Sequence, residues 1–114
     1  MLLQHRASWS HDGDTWGVPG GARDRDETAD QGALRETVEE TGLDVARLEV
    51  VDRHVAAHGG WSYTPLVARA PSRLPTVADR ESVELRWVRV EDVELLPLHG
   101  GFALSWALLR TRLP

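Results

Sequence analysis

Residues 21–43 read GARDRDETADQGALRETVEETGL, and the reading of this stretch decides the fold. From Thr28 to Thr41 the residues favour helix. Thr28 can cap the N-terminus, and Gln31 three positions later completes a capping-box pattern. Gly42 is the expected stop, because glycine accepts the left-handed conformation that ends a helix. Ala33, Thr37 and Thr41 recur every fourth residue, with Leu34 and Val38 beside them, which predicts a small apolar side for packing. Glu36, Glu39 and Glu40 are spaced three and four apart. At roughly 100° per residue their carboxylates share about one quadrant of the helix surface.

Like charges at this spacing destabilise a bare helix by a few tenths of a kcal/mol per pair, to order of magnitude. Arg35, four before Glu39, relieves part of that repulsion. A hard divalent cation relieves more, and Mg²⁺ prefers carboxylate oxygens shared with substrate phosphates. For an isolated E-x-x-E-E the better reading is a solvated acidic face. Here the register of the whole segment tips the balance.

That register resembles the Nudix box, the hallmark of the Nudix hydrolase family. The pattern is Gly, five residues, Glu, seven residues, Arg-Glu, an aliphatic residue, any residue, Glu-Glu, any residue, Gly, an aliphatic residue. Gly21, Glu27, Arg35, Glu36, Glu39, Glu40, Gly42 and Leu43 fall on it. Thr37 departs, standing where the pattern has an aliphatic residue; its volume is close to that of Val, so weaker packing is expected rather than lost chemistry. Trp16-Gly17-Val18-Pro19-Gly20 looks like the usual lead-in, and Glu84-Leu85-Arg86-Trp87-Val88 like the usual downstream segment. The resemblance therefore covers most of the chain.

Composition sets the outer limits. At 114 residues the chain holds one domain with a modest core. With 41% hydrophobic and 27% charged residues it reads as an ordinary soluble globular protein. Net charge is -5. The box alone carries three arginines against seven acids, so nearly all of the imbalance is local. No basic footprint for duplex nucleic acid is present. The sequence has no cysteine, which excludes disulfides and thiolate sites. No apolar run is long enough to span a membrane, and there is no signal-peptide pattern, so a cytoplasmic location is the default.

In chain order, residues 1–6 read as a short strand. Nudix domains usually carry another strand and turn before this point, so the start looks truncated; it leaves a sheet edge open to association, a homodimer among the outcomes. Residues 7–15 form a polar loop with Asp12-Gly13-Asp14 as the turn. Trp16 is either a base-stacking side chain or an anchor on the core, the anchor being favoured. Gly20 and Gly21 let backbone approach a ligand. Residues 44–57 predict one long or two short strands, Gly59-Gly60 a hairpin turn, and residues 61–70 the return strand, with Pro65 at an edge or bulge. Trp61 and Tyr63 are pocket-wall candidates, with core packing equally favoured. His54 and His58 have a metal spacing only on a helix, and this segment reads as strand. Residues 81–90 predict a further strand, residues 91–96 a short helical turn, and Phe102, Trp106 and Leu109 a packed C-terminal helix.

The resemblance implies an α/β Nudix fold, an α/β/α sandwich with a mixed β-sheet and a loop-helix-loop box. It implies Mg²⁺ or Mn²⁺ on Glu36, Glu39 and Glu40, and hydrolysis of a phosphoanhydride bond in a small-molecule nucleoside diphosphate derivative. Glu39, or a loop acid at Glu81 or Glu84, is the candidate proton acceptor, while Arg35 orients the glutamates. Gly20, Gly21, Trp16, Trp61 and Tyr63 are the candidate substrate contacts. A (d)NTP or modified dNTP is the first expectation, with ADP-ribose or a sugar nucleotide behind it. The competing reading is a nucleotide-binding module without turnover, which the intact box carboxylates disfavour.

Overall fold

The computed structural model describes residues 1–10, 12–20, 25–54, 56–58, 61–80 and 82–113, with the backbone alone for 56–58 and 61–63. The first strand, β1 (Leu2–Arg6), carries three buried side chains in a row, Leu2, Leu3 and Gln4. A continuous buried run belongs to a strand covered on both faces. Accordingly β1 is central, flanked by β2 (Trp16–Gly17) and β7 (Ser82–Trp87) in the order β2-β1-β7. Among the described residues, the outer strands of this sheet are β2 and β7.

Both neighbours run antiparallel to β1, with Gln4 opposite Gly17 and Leu85. Among the described residues the parallel element is a single bridge between Trp16 and Leu98, where the Trp16 amide donates to Pro97 O and the His99 amide to Trp16 O. Gln4 is buried yet satisfied: its Nε2 donates to Ser82 Oγ at 2.7 Å, and that hydroxyl donates to Asp79. A buried amide without such partners would cost on the order of 1–3 kcal/mol.

The helix α1 spans Ala29–Thr41 and α2 spans Gly100–Leu109. Two apolar clusters cover the two faces of the sheet. Leu3 and Trp16 pack with Val93, Phe102, Trp106 and Leu109, so α2 lies on one face. Leu2, Leu85 and Trp87 pack with Leu74 and with Leu43, which follows α1, on the other. The helical spacing of Phe102, Trp106 and Leu109 was the signal for this packing.

Between the helices the strand expectations shift in detail. Val45 enters a 3-10 turn (Val45–Arg47) capped by Asp44, and the strands that follow are β3 (Glu49–Arg53) and β4 (Ala56–His58). The return is broken into β5 (Trp61–Tyr63) and β6 (Leu66–Arg69), with Thr64 and Pro65 between them. Proline lacks the N–H a ladder needs, and its carbonyl accepts from the His54 amide instead. β4 pairs with β5 from Ala56↔Tyr63 to His58↔Trp61, which matches the expected hairpin; Gly59 and Gly60 themselves lie outside the described residues. The acidic segment before Pro97 is a 3-10 turn, Val90–Leu95.

Candidate active site

The box helix is held at both ends. Thr28 Oγ1 accepts from the Gln31 amide at 3.1 Å, and Gln31 Oε1 accepts from the Thr28 amide at 2.9 Å, a closed capping box. At the other end Gly42 takes φ 66°, in the left-handed region. The Thr41 carbonyl accepts from Val77, and the Thr41 hydroxyl donates to Thr37 O while accepting from Leu43. These bonds fix the rotation of the helix and therefore the direction of its acids.

The expected packing side of α1 holds at Thr41, which is buried, and at Ala33, Leu34 and Thr37, which are half-buried, but fails at Val38. Gly32, Glu40 and Thr41 are buried, whereas Val38 is 43% exposed. Thr37 and Thr41 tolerate their places because each hydroxyl donates to the carbonyl four residues back. The departure at Thr37 is thus matched by a local hydrogen bond rather than by aliphatic packing.

Arg35 is the centre of the site. Its Nε and Nη2 grip Glu27 in a two-pronged ion pair at 2.8 and 2.9 Å. Its Nη1 donates to Glu36 at 3.0 Å and to Glu39 at 3.2 Å. The planar guanidinium suits this work, since it presents several donors in a rigid fork. Glu39 is the outermost of the three carboxylates, 56% exposed. Glu40 is buried, at 6% exposure, and its Oε2 accepts from the Gly20 amide at 2.9 Å. The lead-in loop and the helix are joined at that bond.

Glu36 and Glu39 converge on one guanidinium nitrogen, so they share a position suited to a cation, while Glu40, on the same helix, is engaged through Oε2 by the Gly20 amide. No group of three or more His, Asp or Glu side chains poised to hold a metal occurs among the described residues. The donor set nevertheless fits a hard divalent ion: the candidate donor atoms are carboxylate oxygens, and three glutamates face a single guanidinium, leaving surplus negative charge.

The remaining sequence candidates are placed as follows. Trp16 is a core residue, 5% exposed; it stacks on His5 with ring centroids 4.7 Å apart and lies beneath the Arg86 guanidinium. This bears out the favoured reading of Trp16 as an anchor on the core and corrects the alternative of a substrate contact, because no free ring face remains accessible for a base at that exposure. Glu84 lies opposite His5 on the sheet face covered by α2, ion-paired to Arg86 at 2.9 Å, and does not join the Arg35 cluster. Gly21 and Glu81, and the side chains of Trp61 and Tyr63, lie outside the described residues. Asp30 near the helix start pairs with Arg53, whose guanidinium hydrogen bond holds the Asp30 carboxyl below its usual range.

The sequence reading missed a cavity of about 220 Å³ beside β2, walled by Val18, Pro65, Phe102 and Leu109, with Arg6 and His99 among its polar lining. His99 caps α2: its Nδ1 accepts from the Gly101 and Phe102 amides, and its Nε2 faces Asp12 at 3.4 Å. The signal available was a polar residue before Gly100-Gly101 and the apolar helix, a cap pattern rather than a plain turn.

Residues 1–106 match the family model described as NUDIX domain. The chain belongs to the Nudix family. It is 56% identical, over 97% of its length, to a protein of Mycobacterium tuberculosis provisionally named 8-oxo-dGTP diphosphatase 3, of which it covers 54%. It is 39% identical over 99% of its length to a nucleoside triphosphate pyrophosphatase/Nudix hydrolase fusion protein of Bifidobacterium longum, of which it covers 24%. The chain thus spans about half or less of these relatives. Among solved structures, the Nudix hydrolase RenU of M. smegmatis superposes with a TM-score of 0.91 at 50% identity, covering 97% of this chain and 73% of that one. The Nudix fold, with its α/β layering, is therefore that of this chain, and Glu27, Arg35, Glu36, Glu39 and Glu40 are its Nudix-box acids and arginine. No helix among the described residues is long and apolar enough to cross a membrane.

Proposed function

We propose that this Nudix domain hydrolyses a phosphoanhydride bond of a nucleoside triphosphate, with an oxidised or otherwise modified deoxynucleotide as the foremost substrate. The observation that carries the proposal is the box network: Glu27, Glu36 and Glu39 gathered on Arg35, and Glu40 held buried by the Gly20 amide. The name borne by the mycobacterial relative supports the choice of substrate.

Glu36, Glu39 and Glu40 would hold Mg²⁺ or Mn²⁺. Bound there, a divalent ion supplies charge neutralisation at the phosphates and Lewis-acid activation of water. The chain's own residues do the rest. Arg35 keeps Glu36 and Glu39 on one side of the helix and prevents their mutual repulsion from splaying them. Glu39, the most solvent-facing of the cluster, is the carboxylate placed to accept a proton from an attacking water. Glu40 ties the lead-in loop to the helix, so a ligand held by the loop is held relative to the carboxylates.

The nucleoside fits the cavity between β2 and α2. Its walls are largely apolar, with Arg6 and His99 among its polar lining. Val18 on that wall is two residues from Gly20, roughly 7 Å of extended chain at most, so phosphates leaving the cavity come within reach of Glu40. Chemistry on small-molecule nucleotides suits a cytoplasmic setting.

The test is a panel of canonical and oxidised (d)NTPs, ADP-ribose and sugar nucleotides, each with Mg²⁺ and with Mn²⁺, read by phosphate and nucleoside monophosphate release. Metal-dependent turnover of a modified dNTP above the others is expected. Preferred cleavage of ADP-ribose would transfer the assignment to that substrate, and tight nucleotide binding without any product would make the domain a binding module.

A further inference from the structure

Among the described residues β7 has one strand neighbour, β1. At the end of that ladder Val88 and Met1 exchange bonds: the Val88 amide donates to Met1 O at 2.7 Å, and the Met1 amino group donates to Val88 O. Exchange alternates along an antiparallel pair. Glu84 and Arg86 therefore direct their N–H and C=O toward β1, and Leu85 and Trp87 direct theirs away from it. Such an edge is a template for another strand. At the C-terminal end of β7, Arg86 and Trp87 line an open cleft together with Arg73 and Arg89.

The occupant follows from the side chains. Edge strands are commonly guarded by charge, but here the charges are of opposite sign and lie two apart. Glu84 and Arg86, both about half exposed, are joined within the chain at 2.9 and 3.0 Å. If two copies of β7 pair antiparallel with Leu85 opposite Leu85, each Glu84 lies across from Arg86 of the second copy. Val83, which is 59% exposed, falls where the β1–β7 register shifts and so lies at the rim of this pairing. Opposite charges are favourable cross-strand neighbours. Centring the pair on Glu84 or on Arg86 would instead set like charges face to face. One register is thus selected, and in it the outward amides and carbonyls of Leu85 meet their counterparts.

We propose that β7 is a self-complementary edge through which two copies of this chain join their sheets about a twofold axis centred on Leu85. The inference is independent of the substrate and of the metal.

Sedimentation velocity over a range of protein concentrations tests it. A concentration-dependent dimer is expected. Glu84→Arg and Arg86→Glu should each raise the dimer dissociation constant about tenfold or more, since each turns two attractive pairs into two repulsive ones. The double variant E84R/R86E should return to within about threefold of the parent, and an equimolar mixture of the two single variants should form heterodimers. Thermal melts confirm that each variant is folded. A chain monomeric at every concentration, a double variant as weak as the singles, or a dimer indifferent to all these changes overturns the proposal.

Discussion

The backbone amide of Gly20 donates to the Glu40 carboxylate at 2.9 Å, joining the lead-in loop to the box helix across twenty residues of chain. Glu40 is therefore both a structural acceptor and a proposed ligand. Glu40→Gln separates the two roles, because the amide oxygen can still accept from Gly20 while the charge is gone. The expected result is a loss of metal-dependent hydrolysis of at least about 10²-fold, with a Tm within a few degrees of the parent, the loss being of the order of removing one major electrostatic contributor. Hydrolysis at the parental rate would remove Glu40 from the site.

Arg35 neutralises one of several clustered charges, so its removal should reveal the demand for a cation. Arg35→Ala lowers Tm in the absence of divalent ions, since Glu27, Glu36 and Glu39 lose their shared partner. Adding Mg²⁺ should then raise Tm more in the variant than in the parent, because a ligand that binds the folded state stabilises it by mass action. Differential scanning fluorimetry with and without Mg²⁺ decides; equal shifts in both proteins would mean that the carboxylates do not form a cation site.

Gly42→Ala tests the helix stop. At φ 66° a Cβ is disfavoured by the backbone, while its nearest neighbours, Val77 Cβ and N at 3.6 Å, stand at ordinary contact distance. The cost is conformational and should be about 1 kcal/mol. It reads out as a lowered urea midpoint with an unchanged slope. A neutral substitution would show that the end of α1 readjusts freely.

The pair between Asp30 and Arg53 gives an acid-side prediction. A hydrogen bond from Arg53 holds the Asp30 carboxyl below its usual 3.8. A depressed folded pKa contributes stability that is fully present above the unfolded value and is lost as pH falls through the folded one. Arg53→Gln should therefore lower stability above about pH 4 and converge with the parent in stronger acid. Both fluorescent melts and a salt series apply, because the pair is exposed and screened. Curves that remain parallel to the lowest pH would show that Asp30 contributes nothing to the acid limb.

How far the site was legible follows from the range of the interactions. The capping box of Thr28 and Gln31, the stop at Gly42 and the shared direction of Glu36 and Glu39 are all set within a few residues, where helical geometry alone places side chains. The clasp of Arg35 on Glu39 belongs to the same local geometry. The two-pronged bond between Arg35 and Glu27 was not legible, because it depends on how the loop before the helix returns.

The sequence by itself determined the box helix, its caps, the acids on it and the membership of the Nudix family, because those depend on backbone periodicity and on fixed spacing along one segment. Only the tertiary structure decided that β1 is a central strand, that Trp16 is core, that Glu40 is buried while Val38 is exposed, and that Glu84 sits on the sheet face covered by α2. Each of those depends on which distant segment covers a given face. Local pattern cannot supply that information, because the same strand or helix serves equally well until a neighbour is packed against it.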